Sequence, residues 1–302
     1  MKRKAFAAGI AAAATVPRHA DAQTLPVIRI VCVPNDDVTP LLYAQQSGLF
    51  RRAGLDATIE KSSVGLVSLL SLLSGHAHGL PFVMIAPSLL YDSADPESVL
   101  LVLKDSPVRS MRDLAGKVLS VSAIRAIDWV ALHAYAEQYG VDPDSLKFVE
   151  LPMSSIPAAL EAGRIQAGTI SNPNLQQAMA TGHFRSIGSA LDGIAKRFMV
   201  AAWCTTTTYL AKNRDLVDRF AGAMRTATLY ANTHHAETAP LIAAFTGIDP
   251  AQAVAMRRST SAEYLDPREI QPVIETAAKY NVLDHAFPAQ ELISPYAPRP
   301  PR

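Results

Sequence analysis

A cation and an aromatic side chain share one loop in the middle of the chain. Arg125 and Trp129 follow a predicted strand at residues 118–122, and a helix is predicted to begin near Asp128. A guanidinium group can donate two parallel hydrogen bonds to a carboxylate or sulfonate, and an indole can pack on an apolar ligand face. Ser122, at the end of the strand, completes this candidate ligand site. An exposed Arg125 that binds no ligand is the alternative interpretation.

Polar residues also follow three other predicted strands. Asn35 and Asp36 come after the first strand, and Ser63 comes after the second. Ser154 and Ser155 precede a predicted helix, where their hydroxyls and the amides that follow could hold an oxyanion. Each of these residues could instead serve only in a turn or a helix cap. Because loops at strand ends often carry binding residues, we keep all five as candidate ligand contacts.

Residues that bind metals or act as nucleophiles do not form a recognisable motif. Two histidine pairs occur without a further ligand at a suitable spacing: His76 with His78, and His234 with His235. The only two cysteines, Cys32 and Cys204, are far apart in the sequence. The sequence contains no Gly-rich phosphate loop, nucleophile elbow or zinc-protease helix. We therefore predict a protein that is not an enzyme and that holds neither a metal nor a cofactor.

The charge balance argues against nucleic acid as a partner. The 302 residues include 28 Lys and Arg against 27 Asp and Glu, and the basic residues are not clustered with aromatic ones. Apolar residues make up 49% of the chain, which is sufficient for one large or two smaller domains. We expect a monomeric protein that binds a small molecule.

The N-terminal segment has the three parts of a secretory signal peptide in their usual order. A basic stretch at residues 2–4 is followed by an uncharged run at 5–16 and by an A-x-A site at 20–22. The uncharged run is shorter than the roughly 20 apolar residues that a membrane helix needs. We predict that residues 1–22 are removed, and that the mature chain begins at Gln23 and is free in the periplasm.

Short apolar strands alternate with helices through the first two thirds of the sequence. The predicted strands lie at residues 27–33, 56–60, 80–86, 99–103, 118–122, 148–151, 167–170 and 198–203. One of the helices between them is predicted at residues 65–74. The alternation predicts an α/β fold with parallel sheets flanked by helices. The remainder is predicted to be almost entirely helical, with a disordered tail at residues 295–302.

Three short blocks occur in a fixed order behind the predicted leader. Residues 44–56 match A-x-x-x-G-x-F-x-x-x-G-L-x, residues 110–118 contain D-L-A-G-K-V, which is similar to D-L-x-G-K-x-V, and residues 159–165 match A-L-x-x-G-x-[VI]. In this order the blocks resemble the nitrate/sulfonate/taurine family of periplasmic binding proteins, whose wider family includes proteins that bind or make the thiamine pyrimidine. The resemblance implies a type II periplasmic binding fold, in which two doubly wound lobes joined by a hinge close over a ligand.

The resemblance also implies how the chain is divided between the lobes. Lobe I would comprise residues 23–104 and 198–294, and lobe II would comprise residues 105–197. Asn172 and Trp203 fall where the family often places cleft residues, although Trp203 could equally lie in the core.

One departure from the family pattern concerns the first lobe. After Gly75 the pattern continues with a strand, a loop and a helix, whereas here a predicted strand begins at Leu80. We therefore expect lobe I to lack one βα unit, including a loop that usually lines the cleft.

The function that the resemblance implies is capture of a small organic anion, a sulfonate or a carboxylate, and its delivery to an ABC permease in the inner membrane. Arg125 and the amides near Ser154 and Ser155 would hold the anion. Three alternatives stay open: a protein that binds pyrimidine precursors, an enzyme of thiamine metabolism, and a periplasmic ligand sensor.

Overall fold

The structure of the protein is a computed structural model that describes residues 25–32, 35–61, 66–297 and 300. The predicted leader at residues 1–22 and the candidate contact Ser63 lie outside the described residues. The strands are β1 Val27–Cys32, β2 Asp56–Lys61, β3 Leu66–Ser68, β4 Phe82–Pro87, β5 Leu89–Asp92, β6 Ser98–Leu103, β7 Val118–Val121, β8 Lys147–Glu150, β9 Ala167–Ser171, β10 Phe184–Ser186, β11 Arg197–Met199, β12 Ala201–Thr206 and β13 Thr260–Ser261. The helices are α1 Thr39–Gln46, α2 Leu49–Arg52, α3 Leu69–Ala77, α4 Ile127–Gln138, α5 Ile156–Glu161, α6 Asn174–Ala180, α7 Thr207–Lys212, α8 Arg214–Ala231, α9 His235–Thr246, α10 Pro250–Ala255 and α11 Pro267–Lys279.

The second lobe is built on a five-stranded sheet in the order β10-β6-β9-β7-β8. β7 pairs in parallel with β8 and β9, whereas β6 is antiparallel to both β9 and β10. The sheet is therefore of mixed direction, because β6 enters the lobe at the end where β7, β8 and β9 finish. Since β6 belongs to this sheet, the chain enters lobe II before residue 98, earlier than the predicted boundary after residue 104.

Two crossing strands join the lobes. β5 and β11 pair antiparallel, and β13 adds to the other edge of β5 to give the order β11-β5-β13. α11 packs on β11 and also contacts α3 of lobe I and α4 of lobe II. Asp266 caps α11 by accepting a hydrogen bond from the Arg268 amide.

The first lobe contains two separate groups of paired strands. β1 pairs in parallel with β2, while β12 lies between β3 and β4 and is antiparallel to both. The predicted strand at residues 80–86 is confirmed as β4. The prediction of a helix throughout residues 65–74 is wrong at its start, because Leu66–Ser68 form β3 before α3 begins. Pairing of β3 with Ala201–Trp203 of β12 outweighs the local helical pattern there.

A gap remains between these two groups of strands. β3 covers β12 only from Ala201 to Trp203, and the described residues give β1 no partner other than β2. A cavity of about 490 Å³ lies between β1 and the far end of β12. Its walls comprise Val27, Ile28, Arg29, Ile30, Ile85, Trp203, Cys204, Thr205, Tyr209, Val217 and Phe220. Lobe I thus has an open slot in its sheet, consistent with the expected absence of one βα unit.

One large apolar cluster extends through both lobes. It includes Leu72 of α3, Tyr91 of β5, Leu132 of α4 and Ile274 of α11, all at most 1% exposed. A second cluster packs α1, α8 and α9 onto the lobe I strands, with Leu41 and Phe220 in its interior. Each buried side chain of this size contributes about 1.5–3 kcal/mol of hydrophobic stabilisation. Among the described residues, no helix is long and apolar enough to cross a membrane.

Candidate functional site

A cavity of about 480 Å³ lies where the two lobes face each other. Lobe I contributes the residue that follows β1 and the turn after α9, and lobe II contributes residues that follow β8 and β9. Its lining residues are Asn35, Met153, Ser154, Pro173, Asn174, Gln177, Thr246, Gly247 and Ile248. Ligands of α/β proteins bind outside the carboxyl ends of the strands, so this is the expected position for an interlobe ligand site. We refer to it below as the interlobe cavity.

Two predicted contacts, Asn35 and Ser154, meet in this cavity from opposite lobes. Asn35 is exposed and precedes a short 3-10 turn at Asp36–Val38, and its side chain makes no cap hydrogen bond. Ser154 is exposed in the turn Met153–Ser155 before α5. Ser155 is half-buried, does not line the cavity and makes no side-chain cap hydrogen bond. The side-chain amide of Asn35 and the hydroxyl of Ser154 therefore remain open for a ligand.

Asp36 is occupied by an internal ion pair. Its Oδ1 accepts from Arg258 Nε at 2.8 Å and from Thr39 Oγ1 at 3.1 Å, and its Oδ2 accepts from the Ser259 amide at 2.6 Å. The side chain of Arg258 is 4% exposed and that of Asp36 is 1% exposed. This carboxylate joins the end of β1 to the segment after α10, and it does not line the interlobe cavity.

Two further acids lie beside this ion pair. Asp37 and Glu97 are each 7% exposed. Burial, and to a smaller extent the Asp36 carboxylate, raise the pKa of Asp37 to about 7 against the opposing effect of hydrogen bonds from the amides of Asp37 and Val38. Burial, together with the smaller effects of the Asp37 and Asp36 carboxylates, raises the pKa of Glu97 to about 8. Neither of these two acids lines the interlobe cavity.

Asp128 organises the loop between β7 and α4. It accepts from the amide and hydroxyl of Ser122 at 2.6 and 2.9 Å and from the Trp129 amide at 3.0 Å. Burial raises the pKa of Asp128, and these hydrogen bonds act in the opposite direction. Trp129 is half-buried and its ring lies 3.8 Å from that of His133. The start of α4 is thus stabilised by contacts among Ser122, Asp128 and Trp129, and these residues do not line the interlobe cavity.

Arg125 is bound to the protein's own backbone. Its Nη2 donates to the carbonyl oxygen of Asn281 at 2.6 Å and to that of Val282 at 3.1 Å. The residue has a φ of 67°, which an L-residue rarely adopts, and the two hydrogen bonds help to hold that conformation. Arg125 connects the β7–α4 loop to the segment after α11, and it does not line the interlobe cavity.

The remaining two predicted contacts are buried. Asn172 donates to the carbonyl oxygen of Arg257 at 2.7 Å and accepts from the Gln176 amide at 3.1 Å, so it joins the lobes next to the cavity wall. Trp203 is 3% exposed and packs edge-on against Phe220 within lobe I. The structure gives Trp203 the core position that the sequence left as its alternative, where it also borders the slot between β1 and β12.

Sequence reasoning missed most of the residues that define this region. Asn174, Gln177 and the turn at 246–248 line the cavity, and Arg258 forms the buried ion pair with Asp36. Asn174 follows Asn172-Pro173 at the end of β9 and could have been found from the strand-end rule. Glu97 and Arg258 carry no local signal, because only the tertiary fold brings them to β1.

Metal binding and thiol catalysis find no support in the site. Within the described ranges, no three or more His, Cys, Asp and Glu side chains are grouped so that they could hold a metal ion. Burial raises the pKa of both Cys32 and Cys204 to about 11, so each thiol keeps its proton at neutral pH. A protonated thiol is a poor nucleophile.

The structure matches solved proteins of the periplasmic-binding-protein fold. The periplasmic aliphatic sulphonate binding protein SsuA from Escherichia coli is 14% identical, with a TM-score of 0.72 over 89% of this chain and 97% of that chain. The alkanesulfonate-binding protein SsuA from Xanthomonas axonopodis pv. citri, bound to MOPS, is 18% identical, with a TM-score of 0.69 over 91% and 98%. The desulfurization enzyme DSZB is also 18% identical, with a TM-score of 0.66 over 89% and 96%. The chain therefore has the fold of the periplasmic binding proteins, and one of the similar structures with this fold is an enzyme.

The family follows from a separate comparison. The family model described as "NMT1/THI5 like" matches residues 58–238, which is more than half of the 302 residues. A search of curated protein sequences gives no match. The chain belongs to the NMT1/THI5-like family.

Proposed function

We propose that the protein is the solute-binding component of an ABC importer, which takes a small organic solute into the interlobe cavity. The observation that carries the proposal is that one cavity is lined from both lobes at the ends of β1, β8 and β9. Its volume of about 480 Å³ falls within the ordinary range for small-molecule sites. The similar SsuA proteins bind sulfonates, and this supports a small polar ligand of comparable size.

The proposal includes export and a membrane partner. The three-part leader at residues 1–22 supports a periplasmic location, and the similarity to periplasmic binding proteins agrees with it. The implied partner is an ABC permease in the inner membrane, which would accept the closed, liganded form. A ligand sensor and an enzyme of thiamine metabolism have no observation of their own in the described residues.

The expectation of an organic anion stays a prediction. The cation on which it depended, Arg125, donates to two backbone carbonyls. Neither Arg nor Lys is among the described residues that line the interlobe cavity. Backbone amides near Ser154 are the remaining feature that favours an anion, and α5, which follows them, has only 6 residues.

A ligand screen on a matched pair of variants tests this function. Thermal unfolding would be followed with a library of sulfonates, carboxylates, amines and pyrimidines, because a ligand at about 100 times its Kd adds about 2.7 kcal/mol of stability. Asn174→Trp fills the cavity from the first residue of α6 and should abolish the shift. Ala180→Trp, at the exposed far end of the same helix, should keep it. A hit that stabilises both variants equally would place the site elsewhere.

A further inference from the structure

The slot in the lobe I sheet has the width of one strand. β3 pairs with β12 and contacts β1, so it lies between these two strands at residues 66–68. The slot continues the line of β3 along the first four residues of β1, from Val27 to Ile30. Neighbouring strands lie about 4.8 Å apart, so a strand in the slot could form hydrogen bonds on both sides. Four residues of extended chain would cover about 13 Å of its length.

The backbone of β1 has free hydrogen-bonding groups on the slot side. The carbonyl oxygen of Pro26 accepts from the Asp56 amide at 3.0 Å, so Pro26 directs its carbonyl group towards β2. Backbone groups alternate in direction from one residue to the next along a strand, so those of Val27 and Arg29 point into the slot, where the described residues provide no strand for them. On the opposite wall, β12 extends to Thr206, whereas β3 covers only its first half. Exposed sheet edges of this kind are templates for a further strand.

The connection between β2 and β3 is too short to supply that strand. β2 is parallel to β1 and ends at Lys61, which pairs with Cys32. Only four residues separate Lys61 from Leu66, where β3 begins. A segment that entered β3 along the slot would first have to run back from the level of Cys32 to that of Val27, about 16 Å, before it turned. The five steps from Lys61 to Leu66 reach at most about 18 Å, so the occupant has to come from elsewhere.

Arg29 gives the slot a positive charge that no described residue neutralises. Its side chain is exposed and forms no hydrogen bond or ion pair with a described residue. Tyr209 also lines the slot, and its hydroxyl likewise lacks a partner in the described part of the chain. Apolar lining comes from Ile85, Val217 and Phe220, which are all buried. Because side chains alternate between the two faces of a strand, a strand in the slot would place apolar residues against this lining and acidic ones near Arg29.

We propose that the slot binds an extended, acidic peptide segment of another protein, which adds a strand between β1 and β12. In this mode of recognition, main-chain hydrogen bonds supply affinity and contacts to alternate side chains supply specificity. The backbone groups of Val27 and Arg29 would bond the peptide main chain, and the Arg29 guanidinium group would bind an Asp or Glu of the peptide. The site goes beyond the proposed function, because the slot and the interlobe cavity share no lining residue.

A series of five-residue peptides tests both the charge and the main-chain hydrogen bonds. Acetyl-TVEVT-amide places two valines on one face of a strand and a glutamate on the other. Its binding to the full chain would be measured by calorimetry beside three relatives: TVQVT without the charge, TVKVT with the opposite charge, and TVEVT N-methylated at both valines, which lacks two donors. We expect TVEVT to bind at least about tenfold more tightly than TVKVT and the N-methylated peptide, with TVQVT between them.

Variants of the two slot residues assign the binding to this site. Arg29→Gln should lower the affinity for TVEVT to that for TVQVT, and it should leave TVQVT binding unchanged. Arg51→Gln is the matched control, because Arg51 is an exposed arginine of α2 that does not line the slot. Val27→Pro removes a donor at the first residue of β1, where proline is tolerated, and should weaken TVEVT binding at least about threefold. Addition of TVEVT should also slow hydrogen exchange at the amides of Val27 and Arg29.

Several results would overturn the proposal. TVKVT or the N-methylated peptide binding as tightly as TVEVT would do so, as would binding of no peptide in the series. TVEVT binding that both Arg29→Gln and Val27→Pro leave unchanged would place the peptide elsewhere. A dimer in sedimentation that Arg29→Gln dissociates would assign the slot to a second copy of the chain, and a solute from the library screen that TVEVT displaces would make it a small-molecule site. Failure of the proposed function is a separate result, because Asn174→Trp changes only the interlobe cavity and should leave TVEVT binding unchanged.

Discussion

Replacement of Arg258 by Met should destabilise the protein strongly. The guanidinium group is almost fully buried, and it donates to Asp36 at 2.8 Å, to Thr39 at 2.8 Å and to the His235 carbonyl oxygen at 3.0 Å. The variant would leave the Asp36 carboxylate buried without its cation. Removal of one partner of a buried ion pair costs about 3–5 kcal/mol, so we expect the free energy of unfolding at pH 7 to fall by that amount.

The assay is urea unfolding, with the midpoint and the slope determined for each variant. Arg257→Met provides the control, because the neighbouring Arg257 pairs with Asp95 at the surface and its side chain is 51% exposed. Exposed ion pairs contribute about 0–1 kcal/mol, so this variant should unfold close to the wild type. The difference between the two arginine variants therefore isolates the effect of burial from the loss of one positive charge.

A double variant separates the uncompensated charge from lost packing. Asp36→Asn combined with Arg258→Met removes both charges, and we expect it to recover at least about 1 kcal/mol of the loss in the single Arg258→Met variant. The reasoning is refuted if Arg258→Met costs no more than Arg257→Met, or if the double variant is less stable than Arg258→Met alone.

Three further predictions concern the buried acids, the lobe I core and the leader. The pKa of Glu97 is about 8 in the folded protein, against the ordinary value of 4.5 that applies to the unfolded chain. The folded state therefore keeps a proton that the unfolded chain loses between these two values, and the free energy of unfolding falls as the pH rises from about 4.5 to about 8. Glu97→Gln should flatten this fall in urea titrations. Trp203→Ala should lower the free energy of unfolding by about 3–5 kcal/mol without changing ligand affinity, whereas Tyr209→Ala, which is exposed in the same slot, should have little effect on unfolding. Mass spectrometry of periplasmic protein should show Gln23 as its first residue, and recovery of intact Met1 from the cytosol would contradict the leader.

The α/β class and most strands could be predicted from the sequence, because apolar runs and the glycines that end helices are local signals. The strands at 27–33, 80–86 and 167–170 are confirmed as β1, β4 and β9 within a few residues. β3 could not be predicted in this way, because the local pattern at Leu66–Ser68 predicts the first turn of a helix. Only the pairing with β12, which is distant in the sequence, makes these residues a strand. The mixed direction of the sheets could not be predicted either, because it depends on where the crossing strands enter each lobe, which is a property of the whole fold.

The candidate site was predictable only in part. Asn35 and Ser154 meet in the interlobe cavity because both follow strands whose carboxyl ends face the cleft, a rule that the sequence supports. Arg125 lies at such a strand end too, but its long side chain reaches the carbonyl oxygens of Asn281 and Val282, which are distant in sequence. Asp36 and Arg258, which form an ion pair, are 222 residues apart in the sequence, so no local pattern predicts their contact.

The most direct test of the solute-binding function is the crystal structure of the protein with a hit from the ligand screen. We predict closed lobes, with density for the ligand in the interlobe cavity between Asn35 of lobe I and both Ser154 and Asn174 of lobe II. Density in the slot beside Trp203, or an interlobe cavity that stays empty while the ligand occupies another surface, would contradict the account.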